Sequence, residues 1–350
     1  MTPPAKSQNI DWINNLRLVA LFAVIMLHSN SVLLLQYGKI SMSDWVVADC
    51  FNAIVRFAVP VFVMITGALL LHREYEIGDF LKKRTVRVIV PFVFWSLVYI
   101  AYSVYNEDLA LQSTVLSNVK MVLRLLASGS SYHLWYVYML IGLYFFIPVI
   151  GKFVRNASEK EILYFLVVWF AVIFISQPYM ARYGSSVDMH YFAGFAGYLV
   201  LGHYLAFKDF KIKHQRLWMV LLFIASLLFI SVGSWLIVNS KKWPGAMFFE
   251  PLSPLVVLLA ASVFMIFKLS SPKLSPIVVR IRDFAGSFNY GIYLAHALIL
   301  YLLEDPLGIS YKLCTPVVSI PLTALICFII TLGLVWVINK VPFVGKWISG

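Results

Sequence analysis

Arg17 and His28 lie eleven residues apart in the stretch IDWINNLRLVALFAVIMLHSNS. At about 100° of turn per residue this is close to three helical turns, so both side chains share one face. At about 1.5 Å of rise per residue, His28 sits roughly 16 Å beyond Arg17. The run from Leu18 to Leu35 carries no formal charge and is long enough to cross a bilayer, which puts His28 near mid-membrane. An ionisable group at that depth must face protein or water, and so it is a candidate for function. A neutral imidazole can take a proton from a hydroxyl or thiol, as a general base does. The plainer use is a hydrogen bond between helices. Arg17 on the same face, Asp11 upstream and the polar Ser29, Asn30 and Ser31 favour chemistry.

Arg56 is the second candidate, inside NAIVRFAVPVFVMITGALLL. A charged arginine there costs roughly 2.5–3.5 kcal/mol to insert. A partner acid, backbone carbonyls or an anionic ligand must offset that. Pro60 and Thr66-Gly67 further along predict a kinked helix with close neighbours. The third is DFLKKRTVRVIVPF, where Lys82, Lys83, Arg84 and Arg87 form the densest basic cluster. Such a cluster marks a cytoplasmic loop or clamps phosphate, which guanidinium matches bidentately. The fourth is SSYHLWYVYMLIGLYFFIPVI, with His133 and Trp135 at the expected outer mouth of a span. Aromatics and a histidine there suit a sugar ring and its hydroxyls, or merely an interfacial belt. His296, in FNYGIYLAHALI, fits packing and function equally well; His72, His190, His203 and His214 receive no role.

These residues sit in a chain of 350 residues that is 61% hydrophobic and only 13% charged, with mean hydropathy +0.85. A soluble domain is nearer a quarter charged. The chain reads as an all-α, polytopic membrane helix bundle forming a single domain over 1–350. About ten spans are expected: 16–36, 46–71, 86–104, 134–150, 161–178, 191–207, 216–239, 252–269, 287–303 and 314–339. Most of the 28 lysines and arginines then fall on the side holding both termini, which makes that side cytoplasmic. The net charge of +12 follows from these loops and does not indicate nucleic-acid binding. The first apolar run lacks a cleavage site and is not a removable signal. Val115, Val119, Val122 and Leu126 recur at helical spacing, predicting an amphipathic helix on the outer surface. Trp45, Tyr136, Trp218 and Trp243 fit interfacial anchors. Cys50, Cys314 and Cys327 match no metal or redox motif, although a Cys50–Cys314 disulfide is conceivable. Metal-ligand spacings, a Walker loop and GxSxG are absent.

Several stretches, taken together and in order, resemble the acyltransferase family 3 integral membrane proteins. They are WINNLRLVALFAVIMLH, RFAVPVFVMITGALL, KKRTVRVIVPF, YHLWYVYMLIGLYFFIPVI, GYLVLGHYL at 197–205 and SFNYGIYLAHALI. The nearest resemblance is to stand-alone O-acetyltransferases of bacterial surface polysaccharides, including the enterobacterial-common-antigen type. Thr66 stands where many relatives have Ser and keeps the hydroxyl. The resemblance implies transfer of an acetyl group from cytoplasmic acetyl-CoA to a sugar hydroxyl of a surface or lipid-linked glycan, at a bacterial cytoplasmic (inner) membrane. Arg87, with Lys82, Lys83 and Arg84, is then expected to hold the CoA phosphates. Arg17 and Arg56 neutralise charge along the path. His28 is base or transient acyl carrier, and His133 and Trp135 meet the sugar. The implied partners are the lipid bilayer, acetyl-CoA and the glycan, without nucleic acid or metal; homo-oligomerisation stays open. A secondary transporter or flippase would use the same buried His and Arg as proton relay and anion site. A non-catalytic module assisting export is a third class.

Overall fold

The computed structural model describes residues 11–177, 194–240, 248–270, 272 and 274–349, and contains no strand among them. Its helices are α1 (Asp11–Leu34), α2 (Met42–Val55), α3 (Ala58–Leu70), α4 (Ile77–Tyr105) and α5 (Val115–Ser128). Then come α6 (Trp135–Asn156), led in by the 3-10 turn Tyr132–Leu134, α7 (Glu159–Ile175), α8 (Ala196–Phe207) and α9 (Gln215–Ser240). The chain closes with α10 (Pro254–Lys268), α11 (Pro276–Ser287), α12 (Asn289–Glu304), α13 (Pro316–Asn339) and α14 (Gly345–Ile348).

Each of the expected spans meets a helix, but fewer of those helices are long and apolar enough to cross a bilayer. Among the described residues six qualify: α1, α2 with α3, α4, the 3-10 turn with α6, α9 and α13. The number is seven if α11 and α12, bent by 75° at their junction, count as one span. The shorter α8 and α10 are apolar but fall below that length. The helix α11 went unread in the sequence, because its Arg280, Arg282 and Asp283 break the apolar pattern. His190 and Trp243 lie outside the described residues.

Local chemistry explains the main irregularities. The α2–α3 break falls at Arg56 and Phe57, one turn before Pro60. Proline has no N–H to give the carbonyl four residues back, here that of Arg56. The α11–α12 bend is held by Arg282, which is buried and bonded to Asp11 Oδ1 at 3.0 Å, Asn15 Oδ1 at 3.0 Å and Asp283 Oδ1 at 2.8 Å. This ties the foot of α1 to α11. Helix α5 has no buried residue; Val115, Leu116, Val119 and Leu123 point away from the protein, as an interfacial helix requires. Cys50 and Cys314 are exposed free thiols, so the conceivable disulfide is not formed.

One contiguous core runs through α1, α3, α6, α8, α10 and α12. Within it α3 and α8 meet backbone to backbone. A Cβ on Gly67 would overlap the backbone of Leu199, and one on Gly202 would overlap that of Met64. Small residues let membrane helices approach until dispersion contacts are made along the backbone itself. The same α3 forms one wall of the cavity described next, so this contact fixes that wall. Gly202→Ala must push the helices apart, at a cost of about 1–3 kcal/mol. It should lower the thermal unfolding midpoint in detergent, while Gly142→Ala, which meets nothing within 4 Å, should leave it unchanged.

Candidate active site

Four guanidinium groups, those of Arg17, Arg73, Arg84 and Arg87, line one cavity of about 370 Å³. Arg17 comes from α1, Arg84 and Arg87 from α4, and Arg73 from the segment after α3. Phe62, Ile65, Thr66 and Leu69 of α3 make the apolar wall, and Tyr136, Tyr144, Tyr290 and Tyr293 the aromatic one. Among the described residues, no carboxylate lies within 4 Å of any of these four arginines. The first residue of α12, Asn289, also faces the cavity, and its Oδ1 is buried without a partner. A helix start carries partial positive charge and free N–H groups. Every polar feature except the hydroxyls and that amide oxygen is therefore cationic. The cavity suits an anion with an apolar arm.

Tyr293 closes the cavity and opens the second half of the site. Its ring lies 5.2 Å from that of Tyr136, 5.7 Å from His133 and 5.8 Å from His296. Beyond it three imidazoles converge. His28 is 5.3 Å from His296 and 6.4 Å from His133, ring centre to ring centre, and His133 is 4.9 Å from His296. Tyr132 closes the far side with its ring 4.9 Å from that of His28.

The hydrogen bonds sort the three histidines by chemical state. His133 Nε2 lies 3.3 Å from the Leu294 carbonyl and Nδ1 3.1 Å from Ser131 Oγ. A carbonyl only accepts, so Nε2 carries the proton and Nδ1 accepts from the serine. Both nitrogens are used, and the His133 carbonyl takes the Tyr293 hydroxyl. His296 Nδ1 donates to the Tyr293 carbonyl at 2.6 Å, and its Nε2 is buried without a partner. His28 is half-buried and its ring makes no hydrogen bond within the described residues. It is thus the imidazole with both nitrogens open to a reactant.

The sequence-predicted residues separate accordingly. Arg17 and His28 face α6 and α12 from two levels of α1, Arg17 in the cavity and His28 in the imidazole cluster. The basic run divides: Arg84 and Arg87 turn into the arginine cavity, whereas Lys82 and Lys83 line an outer groove with Asp79, Lys346 and Trp347. Arg87 borders both. Arg56 is outside the cavity. It bonds Asn52 Oδ1 at 2.9 Å and lies 4.7 Å over the Phe249 ring, within electrostatic reach of His28. His133 does not stand at the mouth: it is 1% exposed, buried by Tyr99, Tyr293 and His296. Trp135 is exposed and packs on Phe195, away from the imidazoles. At that end the exposed ring next to His28 is Tyr132, followed by Tyr301 at 6.2 Å and Tyr102 a further 5.9 Å along. Arg73 and the cavity tyrosines line the site although their sequence context assigns them no role, and His296, for which the sequence leaves packing and function equally open, joins the imidazole cluster; the spacing of Tyr290, Tyr293 and His296 at every third residue is the available signal.

The cationic cavity and the imidazole cluster thus meet at Tyr293, which borders both. A family model described as an acyltransferase domain matches residues 10–340, and the chain belongs to that family, acyltransferase 3. It is a multi-pass membrane acyltransferase. No curated protein and no solved structure matches the chain.

Since both nitrogens of His133 are committed to protein partners, its removal acts on the fold. His133→Leu leaves the Ser131 hydroxyl and a share of the Leu294 carbonyl unsatisfied, at about 1–3 kcal/mol for a buried polar group. The expected outcome is a lower unfolding midpoint, with His133→Gln closer to wild type.

Proposed function

We propose that the chain moves an acetyl group from acetyl-CoA to a sugar hydroxyl of a surface or lipid-linked polysaccharide, at a bacterial cytoplasmic membrane. The observation that carries this reading is the cavity of four arginines without a carboxylate partner among the described residues, ending at Tyr293, whose ring packs on the His133 and His296 that adjoin His28. The CoA diphosphate answers the guanidinium groups and the start of α12, and the pantetheine arm answers the apolar wall of α3. The loop charges support a cytoplasmic opening for the cavity and cytoplasmic termini. Along α4 and α12 the order runs from arginines through imidazoles to the stacked Tyr102 and Tyr301, so the acceptor sugar approaches from the tyrosine end.

In the transfer, the acceptor oxygen bonds to the acetyl carbon and the carbon–sulfur bond breaks. His28 takes the hydroxyl proton and returns it to the leaving thiolate. Alternatively His28 accepts the acetyl group itself and hands it on, dividing one transfer into two. Arg17 lies on the His28 face, nearest the path between phosphate and imidazole. A carrier for an anionic solute would use the same cavity. Transfer from labelled acetyl-CoA by purified protein in detergent, with no gradient, separates the two; binding without transfer favours the carrier.

Arg87→Ala removes a charged hydrogen-bond donor worth about 1.5–3 kcal/mol, or roughly 10- to 100-fold in affinity. Titration of the folded variant with acetyl-CoA should show that loss, and an unchanged Kd would remove the phosphate clamp. His28→Gln keeps polarity but cannot hold a proton at neutral pH. It should lose activity with His28→Ala, by about 10²- to 10⁴-fold, while expression and membrane insertion persist. Near-wild-type acetylation of surface glycans by the Gln variant would return His28 to packing.

A further inference from the structure

The buried, unpartnered Nε2 of His296 has no place in the transfer as described. Its surroundings are unusually specific. The His296 ring is fully buried and its tautomer is fixed, because Nδ1 must donate to the Tyr293 carbonyl. That leaves a lone pair on Nε2, and among the described residues nothing donates to it. A buried acceptor without a donor is costly and calls for an explanation.

Helix α12 is also opened at this level. The Tyr99 hydroxyl donates to the Leu294 carbonyl at 2.8 Å and accepts the Leu298 N–H at 3.1 Å, so it occupies one rung of the helical ladder. The Cys327 thiol donates to the His296 carbonyl at 3.4 Å. Neighbouring side chains thus hold His296 from several directions while its reactive nitrogen is left open.

Of the two imidazoles packed against His296, only His28 has a nitrogen free to donate. The two rings are inclined by only 29°, with centres 5.3 Å apart. Two imidazoles joined edge to edge by an N–H···N bond of about 3 Å have centres roughly 5 Å apart. His133 cannot serve, since both its nitrogens are engaged. His28 has no competing hydrogen bond among the described residues, and its ring centre already lies at the separation such a contact requires.

We propose that His296 is the positioning residue for His28: its Nε2 accepts the N–H of His28 and turns the second His28 nitrogen toward the reacting hydroxyl. This rests on the reading of His28 as the reacting imidazole. As His28 takes the hydroxyl proton it becomes an imidazolium, and one of its two N–H groups is already bonded to His296. The charge therefore forms against a fixed acceptor, oriented in turn by the Tyr293 carbonyl. When the thiolate leaves, the other N–H returns the proton and His28 is neutral again.

The test compares the full-length wild type with His296→Leu and His296→Gln, whose amide oxygen reaches about as far as Nε2. The first measurement needs no substrate: the rate at which diethyl pyrocarbonate modifies His28, read by peptide mass spectrometry. The expected result is a fall of about tenfold in the Leu variant and recovery in the Gln variant. The second is thiol release from acetyl-CoA with water as acceptor. Turnover should drop by about 10²-fold in His296→Leu with acetyl-CoA affinity unchanged, and return to within a few-fold in His296→Gln. Where the Leu variant does not fold, His296→Asn replaces it, being polar but too short to reach. A His28 that reacts alike in all proteins, or not at all in wild type, overturns the pairing whether or not acetyl groups move. A Gln variant that folds yet fails like Leu in both measurements overturns it as well. A pairing visible to the reagent, with acetyl-CoA neither bound nor cleaved, would instead overturn the donor assignment.

Discussion

Positive charge gathered in one cavity between apolar helices, with no negative charge beside it among the described residues, is the constraint on which the rest of this structure turns. Moving a cation out of water is expensive, and proteins ordinarily offset it with a partner acid. This chain does so elsewhere: Arg282 is buried against Asp11 and Asp283. Arg17, Arg73, Arg84 and Arg87 share a cavity and have no such partner among the described residues. The start of α12 adds potential of the same sign. With low-dielectric walls of Phe62, Ile65 and Leu69 around them, these charges focus an attractive field on any anion at the mouth. Arg73 and Arg87 remain exposed, so solvent meets part of that charge.

Helix α12 converts that field into a chemical site. Tyr290 bonds the Val88 carbonyl of α4 at 2.9 Å, tying together two of the helices that line the cavity. One turn on, Tyr293 borders the cavity with its ring, holds His133 through its hydroxyl and orients His296 through its carbonyl. A single residue therefore relates the position of the arginine cavity to the orientation of the imidazoles. Any shift of α12 moves both together, which keeps the two halves of the site in register.

What the sequence disclosed follows from the range of the interactions involved. The shared face of Arg17 and His28 is a property of one helix, and eleven residues suffice to read it. The interruption near Arg56 was also legible, because Pro60 acts on the carbonyl four residues earlier. Pro91 and Pro148 stand in the same relation to Arg87 and Tyr144, two residues that line the cavity. The division of Lys82 and Lys83 from Arg84 and Arg87 was readable in principle from helical position, yet a compact basic run looks like one feature until its neighbours are known. His133 was misplaced because its burial comes from Tyr99, Tyr293 and His296, distant in sequence. The tyrosines were hidden for a related reason: in membrane helices they are commonly interfacial anchors, and only the packing shows which ones face inward.

The backbone contact between α3 and α8 has a consequence for how the protein comes into being. Gly67 and Gly202 are separated by well over a third of the chain, and α12 follows later still. Helices α1, α3 and α4 leave the ribosome before either of their closing partners exists. For that interval the glycine face of α3 is bare, and the cavity arginines have neither a Tyr290 bridge nor a finished wall. Such an intermediate carries the marks by which a cell distinguishes an orphaned span from a mature one: charge at membrane depth and an unfilled helix groove. The groove and the cavity are thus completed in sequence, the first when Gly202 arrives and the second when α12 does, an order of assembly imposed by where these residues lie in the chain.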